Sequence, residues 1–236
     1  MLYIIGLGLN VNGVSLEGFG IVKKCKKVYL ESYTVEFPYS IKELEKVIGK
    51  NVDVLDRAGV ESDRLVRESK KEDVCLLVYG APLFATTHMT LIKDCKSARV
   101  KFKIVYASSV FDAIAECGLQ LYKFGKISSM PKWVKNFEPM SFLDYVIENL
   151  KINAHSLILV DIGLKFEDAL KELVESLNVK CLKINKILVC SQLGVNGKFY
   201  YGSVEELKEK KIKAPFCFVI PGKMHFAEEE VVKSFE

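Results

Sequence analysis

Near the start of the chain, residues 4–10 read IIGLGLN. Two glycines one residue apart, behind an apolar run, are the residue types that let a backbone turn approach a phosphate. A dinucleotide-binding turn needs a third glycine so that its helix can pack closely on the strand, and Val11 occupies that place. The next glycine is Gly13, and Ser15 starts the following helix late. Glu31 lies near where an acidic ribose ligand would end a second strand, so that requirement is only weakly met. No Lys-Ser/Thr follows the glycines, which excludes a P-loop. The pattern predicts a strand, a glycine turn and a helix, without a diphosphate cradle. A second special turn lies in VYGAPLFATTH, residues 78–88, where Gly80-Ala81-Pro82 breaks a strand and Thr86 or Thr87 can cap the next helix. Residues 107–110 form a third strand-end loop. Loops at the carboxyl ends of parallel strands line the crevice where open α/β sheets bind ligands. These three either converge on one ligand or serve as structural turns.

Other chemistry-bearing residues are scattered. His88, His155 and His225 show no ligand spacing, and the seven cysteines are odd in number with no CxxC pair. Most of the cysteines sit in apolar runs, as reduced, buried thiols in a cytoplasmic protein would, and no metal site is expected. Asp161 ends a strand and either faces a cleft or caps a turn. His88, just inside a helix N-terminus, has a structural role or touches substrate or cofactor. Asp112 and Glu116 lie one helical turn apart and either meet a cationic product or are solvated. Tyr122, Lys123 and Phe124 read as packing residues. No catalytic residue is assigned.

The elements that must position these residues follow from the period of the apolar positions. Strands are predicted at 2–6, 27–33, 52–56, 73–80 and 102–107, alternating with helices at 16–25, 40–49, 61–71 and 87–98. A βαβ series of this kind predicts a mainly parallel sheet buried on both faces. Residues 124–141, with two prolines and the only tryptophan, read as a long connection or lid. Beyond it come helices at 141–151, 166–177, 203–211 and 226–233, with strands at 156–162, 186–192, 197–203 and 216–222. The expectation is two α/β domains, 1–111 with a mainly parallel sheet and 112–236 with a mixed sheet. At 50% hydrophobic and 27% charged residues the composition is that of a globular protein, and a net charge of +4 is too balanced to imply nucleic acid. The basic run KEKKIK (208–213) reads as a solvated helix end. No apolar stretch approaches the ~18 residues of a membrane span, and no signal peptide is visible.

Taken in order, IIGLGL (4–9), YGAPLFATTH (79–88), SSVFDAIAECGLQLYKFGK (108–126), LILVDI (157–162) and VIPGKMH (219–225) resemble the diphthine synthase family. That family belongs to the tetrapyrrole-methylase superfamily, the class III-type S-adenosylmethionine-dependent methyltransferases. The resemblance runs from residue 2 to about 225, and the pair ATTH and GLQLYKFG is its specific part. It implies a tetrapyrrole methylase-like fold with the cofactor in the interdomain cleft, and a cytoplasmic homodimer. The implied reaction methylates the amino group of the 3-amino-3-carboxypropyl-modified histidine of translation elongation factor 2, in diphthamide biosynthesis. S-adenosylhomocysteine is the implied product, and neither nucleic acid nor membrane is an expected partner. Carried over residue by residue, the implied cofactor contacts are Leu9, Ala81, Phe84, Ser109 and Val110, with Val160, Leu193 and Phe216 from the second domain.

Three departures stand out. Leu9 and Asn10 replace the Pro-Gly of the GxGPGD turn of tetrapyrrole methylases proper. Ala81 stands where family members read Asp in GDP, so a carboxylate expected at the cofactor is missing. Segment 163–186 is also shorter than usual and lacks the Met-containing pattern that follows the preceding strand. A methyltransferase of the same superfamily acting on a small molecule, or a non-catalytic cofactor-binding homologue, are the alternatives.

Overall fold

A computed structural model describes residues 1–236, which divide into two units, Met1–Val110 and Phe111–Glu236. The first unit runs β1 (Leu2–Gly6), α1 (Leu16–Lys24), β2 (Lys27–Glu31), α2 (Ile41–Ile48), β3 (Asp53–Leu55), α3 (Arg57–Glu61), α4 (Arg64–Ser69), β4 (Val74–Val78), α5 (Met89–Ser97) and β5 (Phe102–Val105). Its sheet has the order β3-β2-β4-β1-β5, and every pair is parallel. Alternation along the strands sends side chains to two cores. Leu2 and Ile4 of β1 with Leu76 and Val78 of β4 pack against Val60, Leu65, Leu91 and Cys95. Ile5, Cys75 and Leu77 face Val22, Leu44 and Ile48 on the other side. All five residues of β4 are buried, as a central strand covered on both faces requires.

Helix boundaries follow local chemistry. The Ser15 hydroxyl accepts from Gly18 N–H to start α1. Ser40 and Glu43 form a reciprocal capping box at α2, and Gly49, at φ +64°, ends that helix in the left-handed region. The helix expected over 61–71 is instead two short ones. Ser62 between them is extended (φ −76°, ψ 168°), and its hydroxyl is turned onto the Gly59 carbonyl.

After α6 (Val110–Ala113) and two 3-10 turns, the second unit runs β6 (Ser128–Met130), α7 (Phe142–Lys151), β7 (Ser156–Val160), α8 (Phe166–Val179), β8 (Ile187–Ser191), β9 (Lys198–Gly202), α9 (Val204–Lys208), β10 (Phe216–Ile220) and α10 (Phe226–Lys233). Its sheet order is β6-β7-β10-β8-β9, with β6 parallel to β7 and the other pairs antiparallel. Phe142, Val146, Leu170, Leu173, Val189 and Phe218 centre its core.

The connection 124–141 is more ordered than its composition suggested. It contributes β6, and it is then fastened where Lys132 N–H donates to Asp161 Oδ2 (3.1 Å) and Trp133 N–H to Glu172 Oε1 (3.2 Å). Three small or unpatterned residues at a sheet edge carry no periodic signal, which is why β6 is silent in the sequence. All seven cysteines are free; six are buried, and Cys181 is exposed. No helix is long and apolar enough to cross a membrane.

Candidate functional site

In the first unit, β4, β1 and β5 are adjacent and parallel, so the loops that follow them are neighbours on one edge of the sheet. From β1 the chain leaves toward β2 on one side, and from β4 toward β5 on the other. The carboxyl ends of β1 and β4 therefore flank a topological switch point, the usual ligand crevice of an open α/β sheet.

The first two loops are zipped together. Gly8 N–H donates to Gly80 O (3.3 Å), Gly80 N–H to Gly8 O (2.9 Å), and Leu7 N–H to Val78 O (2.8 Å). Both glycines sit at positive φ, +67° and +69°, which only glycine adopts without strain. The Tyr79 hydroxyl donates to Leu9 O at 2.9 Å. Around the same turn, Gly13 N–H donates to Asn10 O (3.0 Å) and Asn12 N–H to Asn10 Oδ1 (2.9 Å). A diphosphate cradle needs such amides free and aimed outward. Here the Gly8, Gly80, Asn12 and Gly13 amides are spent inside the two turns, which brace each other.

Glu31, considered above as a ribose ligand, is unavailable for that role. Its fully buried carboxylate accepts from Tyr33 N–H (3.0 Å), Thr34 N–H (2.9 Å) and the Thr34 hydroxyl (2.8 Å), holding the turn after β2. His88 is buried beside it and touches no open surface. Of the residues implied as cofactor contacts, Leu9 is buried, Ala81 and Phe84 are half-buried in the β4 loop, and Ser109 is buried. Val110 is half-buried at the start of α6. These five belong to the three neighbouring strand-end loops.

The remaining three lie on one edge of the second sheet. Because β10 runs antiparallel to both neighbours, its first residue, Phe216, meets the ends of β7 and β8. Val160 ends β7, Leu193 lies two residues past β8, and Phe216 pairs with Ser191. Phe216 and Val160 also pack against the core of this unit, Phe216 edge-on to Phe166 with ring centroids 5.5 Å apart.

A second polar cluster was not anticipated. Glu228, 1% exposed, accepts from Gln120 N–H (2.9 Å), His225 N–H (2.7 Å), the Lys123 ammonium and His155 Nε2 (3.2 Å). Gly222 N–H donates to His155 Nδ1 (2.9 Å), so the proton of the neutral ring is on Nε2. Burial alone would raise the Glu228 pKa, yet the bonds from His225, Lys123, Gln120 and His155 outweigh it and hold the carboxyl at about 2. Burial lowers the pKa of His155, although Glu228 opposes that shift. This cluster ties the 3-10 turn at Leu121–Lys123 to α10, with the half-buried Lys123 at its rim. Asp161 is a turn and strap anchor, its Oδ1 accepting from Ile162 N–H at 2.9 Å. Asp112 and Glu116 are exposed on a segment that passes from α6 into a 3-10 turn, so they are not spaced as on one regular α-helix.

Together these features define a two-unit α/β protein whose first sheet carries three neighbouring strand-end loops, two of them zipped together through Gly8 and Gly80. Residues 1–208 match the model of the tetrapyrrole (corrin/porphyrin) methylases, and the chain belongs to that family, an enzyme of the S-adenosylmethionine-dependent methyltransferase class. Within it, the chain is 34% identical over 249 aligned residues to the diphthine synthase of Methanococcus maripaludis, covering 99% of this chain and 98% of that one. It is 39% identical over 168 residues to the diphthine methyl ester synthase of Schizosaccharomyces pombe, an alignment covering 70% of this chain and 59% of that protein. It thus spans nearly all of the archaeal relative and rather more than half of the fungal one. A crystal structure of diphthine synthase superposes with a TM-score of 0.90 at 29% identity, covering 99% of this chain and 95% of that one.

Proposed function

We propose that this enzyme transfers methyl groups to the amino group of the 3-amino-3-carboxypropyl-modified histidine of elongation factor 2, a step of diphthamide biosynthesis. The full-length match to archaeal diphthine synthase carries the reading. The loop chemistry supports it. The Gly8 and Gly80 amides are committed to each other, and Ala81, Phe84 and Val110 leave mainly apolar surface and peptide edges. That suits an adenosyl and methionyl group better than a diphosphate. When bound, S-adenosylmethionine supplies a methyl carbon on a sulfonium sulfur that leaves as a neutral thioether. The chain's own task is then to hold an uncharged amine in line and keep water out. No acid–base dyad is required, and Glu31 and His88, the buried acid and imidazole beside these loops, are both committed to structure. The three second-unit residues, Val160, Leu193 and Phe216, complete the proposed cofactor contacts. The protein works in the cytoplasm as a homodimer.

Mass spectrometry of elongation factor 2 carrying the modified histidine, after incubation with enzyme and S-adenosylmethionine, tests the reaction. Methyl increments on that histidine are expected. Methyl gain on a tetrapyrrole instead, or none on either, overturns the reading. Fungal relatives are named for a methyl ester, so mild alkali separates a labile ester methyl from stable amine methyls.

The alanine at position 81 favours one rival, a homologue that binds the cofactor without turnover. Ala81→Asp is expected to tighten S-adenosylhomocysteine binding by about tenfold in calorimetry, the worth of one charge-assisted hydrogen bond. Unchanged or weaker affinity would mean that this loop has been rebuilt around the smaller residue.

A further inference from the structure

His88 is fully buried, and both ring nitrogens face groups that define the β4 loop. Nδ1 lies 3.0 Å from the Pro82 carbonyl. A carbonyl oxygen only accepts, so Nδ1 carries a proton and donates. Nε2 makes no hydrogen bond and faces Glu31 Oε2 at 3.6 Å, beyond hydrogen-bond reach. Tyr33 meets the imidazole edge-on with ring centroids 6.2 Å apart. The ring is thus set between the turn after β2 and the loop after β4, which are neighbours because β2 and β4 pair.

The Gly8–Gly80 pair fixes the start of the β4 loop, Phe84 N–H donates to Ala81 O (3.3 Å) within it, and Ala85 turns at φ +51°. The hydrogen bond from His88 draws Pro82 back against the sheet edge between those points. With no carboxylate at position 81, Ala81 and Phe84 themselves offer a ligand only backbone and apolar surface.

We propose that His88 is a positioning residue for the methyl-donor loop. Buried, it cannot touch the ligand; by holding the Pro82 carbonyl it sets where Ala81 and Phe84 stand. This rests on the cofactor reading above, in which those two residues touch S-adenosylmethionine.

The test compares wild type, H88L and H88N by calorimetry with S-adenosylhomocysteine and by steady-state kinetics. Asparagine places an amide N–H near the Nδ1 position, whereas leucine leaves the carbonyl unpaired. H88L should raise the dissociation constant and the KM for S-adenosylmethionine by about tenfold, with kcat at saturating cofactor within about twofold of wild type. H88N should stay within about threefold of wild type in all three. If H88L does not fold, H88Q replaces it, since its longer amide reaches toward Nε2 and leaves Pro82 unheld. H88L binding like wild type, or H88N losing as much as H88L, overturns the proposal. A wild-type titration silent up to millimolar ligand overturns the cofactor reading itself, and the proposal with it.

Discussion

Glu228→Gln is expected to lower the unfolding free energy of the second unit by about 3 kcal/mol at neutral pH, because it breaks a buried charged network while leaving its partners in place. Glutamine keeps the volume but turns an NH2 toward groups that all donate. The Lys123 ammonium and the N–H groups of His225 and Gln120 have no use for another donor. The loss should depend on pH with a definite sign. A carboxyl held at about 2 in the folded protein, against the usual value near 4.5, contributes stability above pH 4.5 and loses it as pH falls toward 2. The gap between wild type and variant should therefore shrink steadily between pH 5 and pH 3. His155 adds an earlier component. Its folded pKa is depressed by burial, so the unfolded ring takes a proton first, and stability begins to fall below the ordinary histidine value of 6.5. Urea unfolding followed by the fluorescence of Trp133, the only tryptophan, measures this in the unit concerned. A gap that does not change with pH would contradict the assignment of that carboxyl.

Gly6→Val should cost about 3 kcal/mol of stability in the first unit and weaken S-adenosylhomocysteine binding by more than about tenfold. Gly6 ends β1 where three segments crowd together. A Cβ there would lie 2.6 Å from Gly80 O, 2.9 Å from Ala107 Cβ and 3.0 Å from Pro82 Cδ. The nearest of these is backbone, so the loop after β4 must move and cannot simply change a rotamer. That movement pulls apart the Gly8–Gly80 pair and lifts the Pro82 carbonyl from His88. Chemical denaturation reads the first effect and calorimetry the second. A variant that is destabilised yet binds with wild-type affinity would place the cofactor away from these loops.

The strand and helix pattern was readable because it rests on short-range chemistry. The apolar runs at 2–6 and 74–78 specify strands buried on two faces, and Ser15, Ser40 with Glu43, and Gly49 mark helix ends through bonds spanning a few residues. The absent third glycine at Val11, which argues against a diphosphate cradle, was equally local. The short β6 and the break at Ser62 escaped notice because neither has a period long enough to register.

What only the tertiary structure decided concerns residues brought together by strand order. Glu31 lies in the sequence near the place of a ribose ligand, a requirement only weakly met; the fold buries it against its own turn and sets it 3.6 Å from His88. The antiparallel run of β10 puts Phe216 beside the ends of β7 and β8, a neighbourhood with no trace in the linear order. Lys123, His155 and Glu228 lie in separate segments with nothing in their spacing to join them, yet they form one cluster around the buried Glu228 carboxylate. The IIGLGLN turn belongs to both levels. Its glycines announce a tight strand-end turn from sequence alone, but the Gly8 amide is committed to Gly80 only because β1 and β4 lie side by side. Periodicity and caps act over a few residues and are written in the chain; which polar groups end up buried, paired or free depends on contacts that only the closed sheet creates.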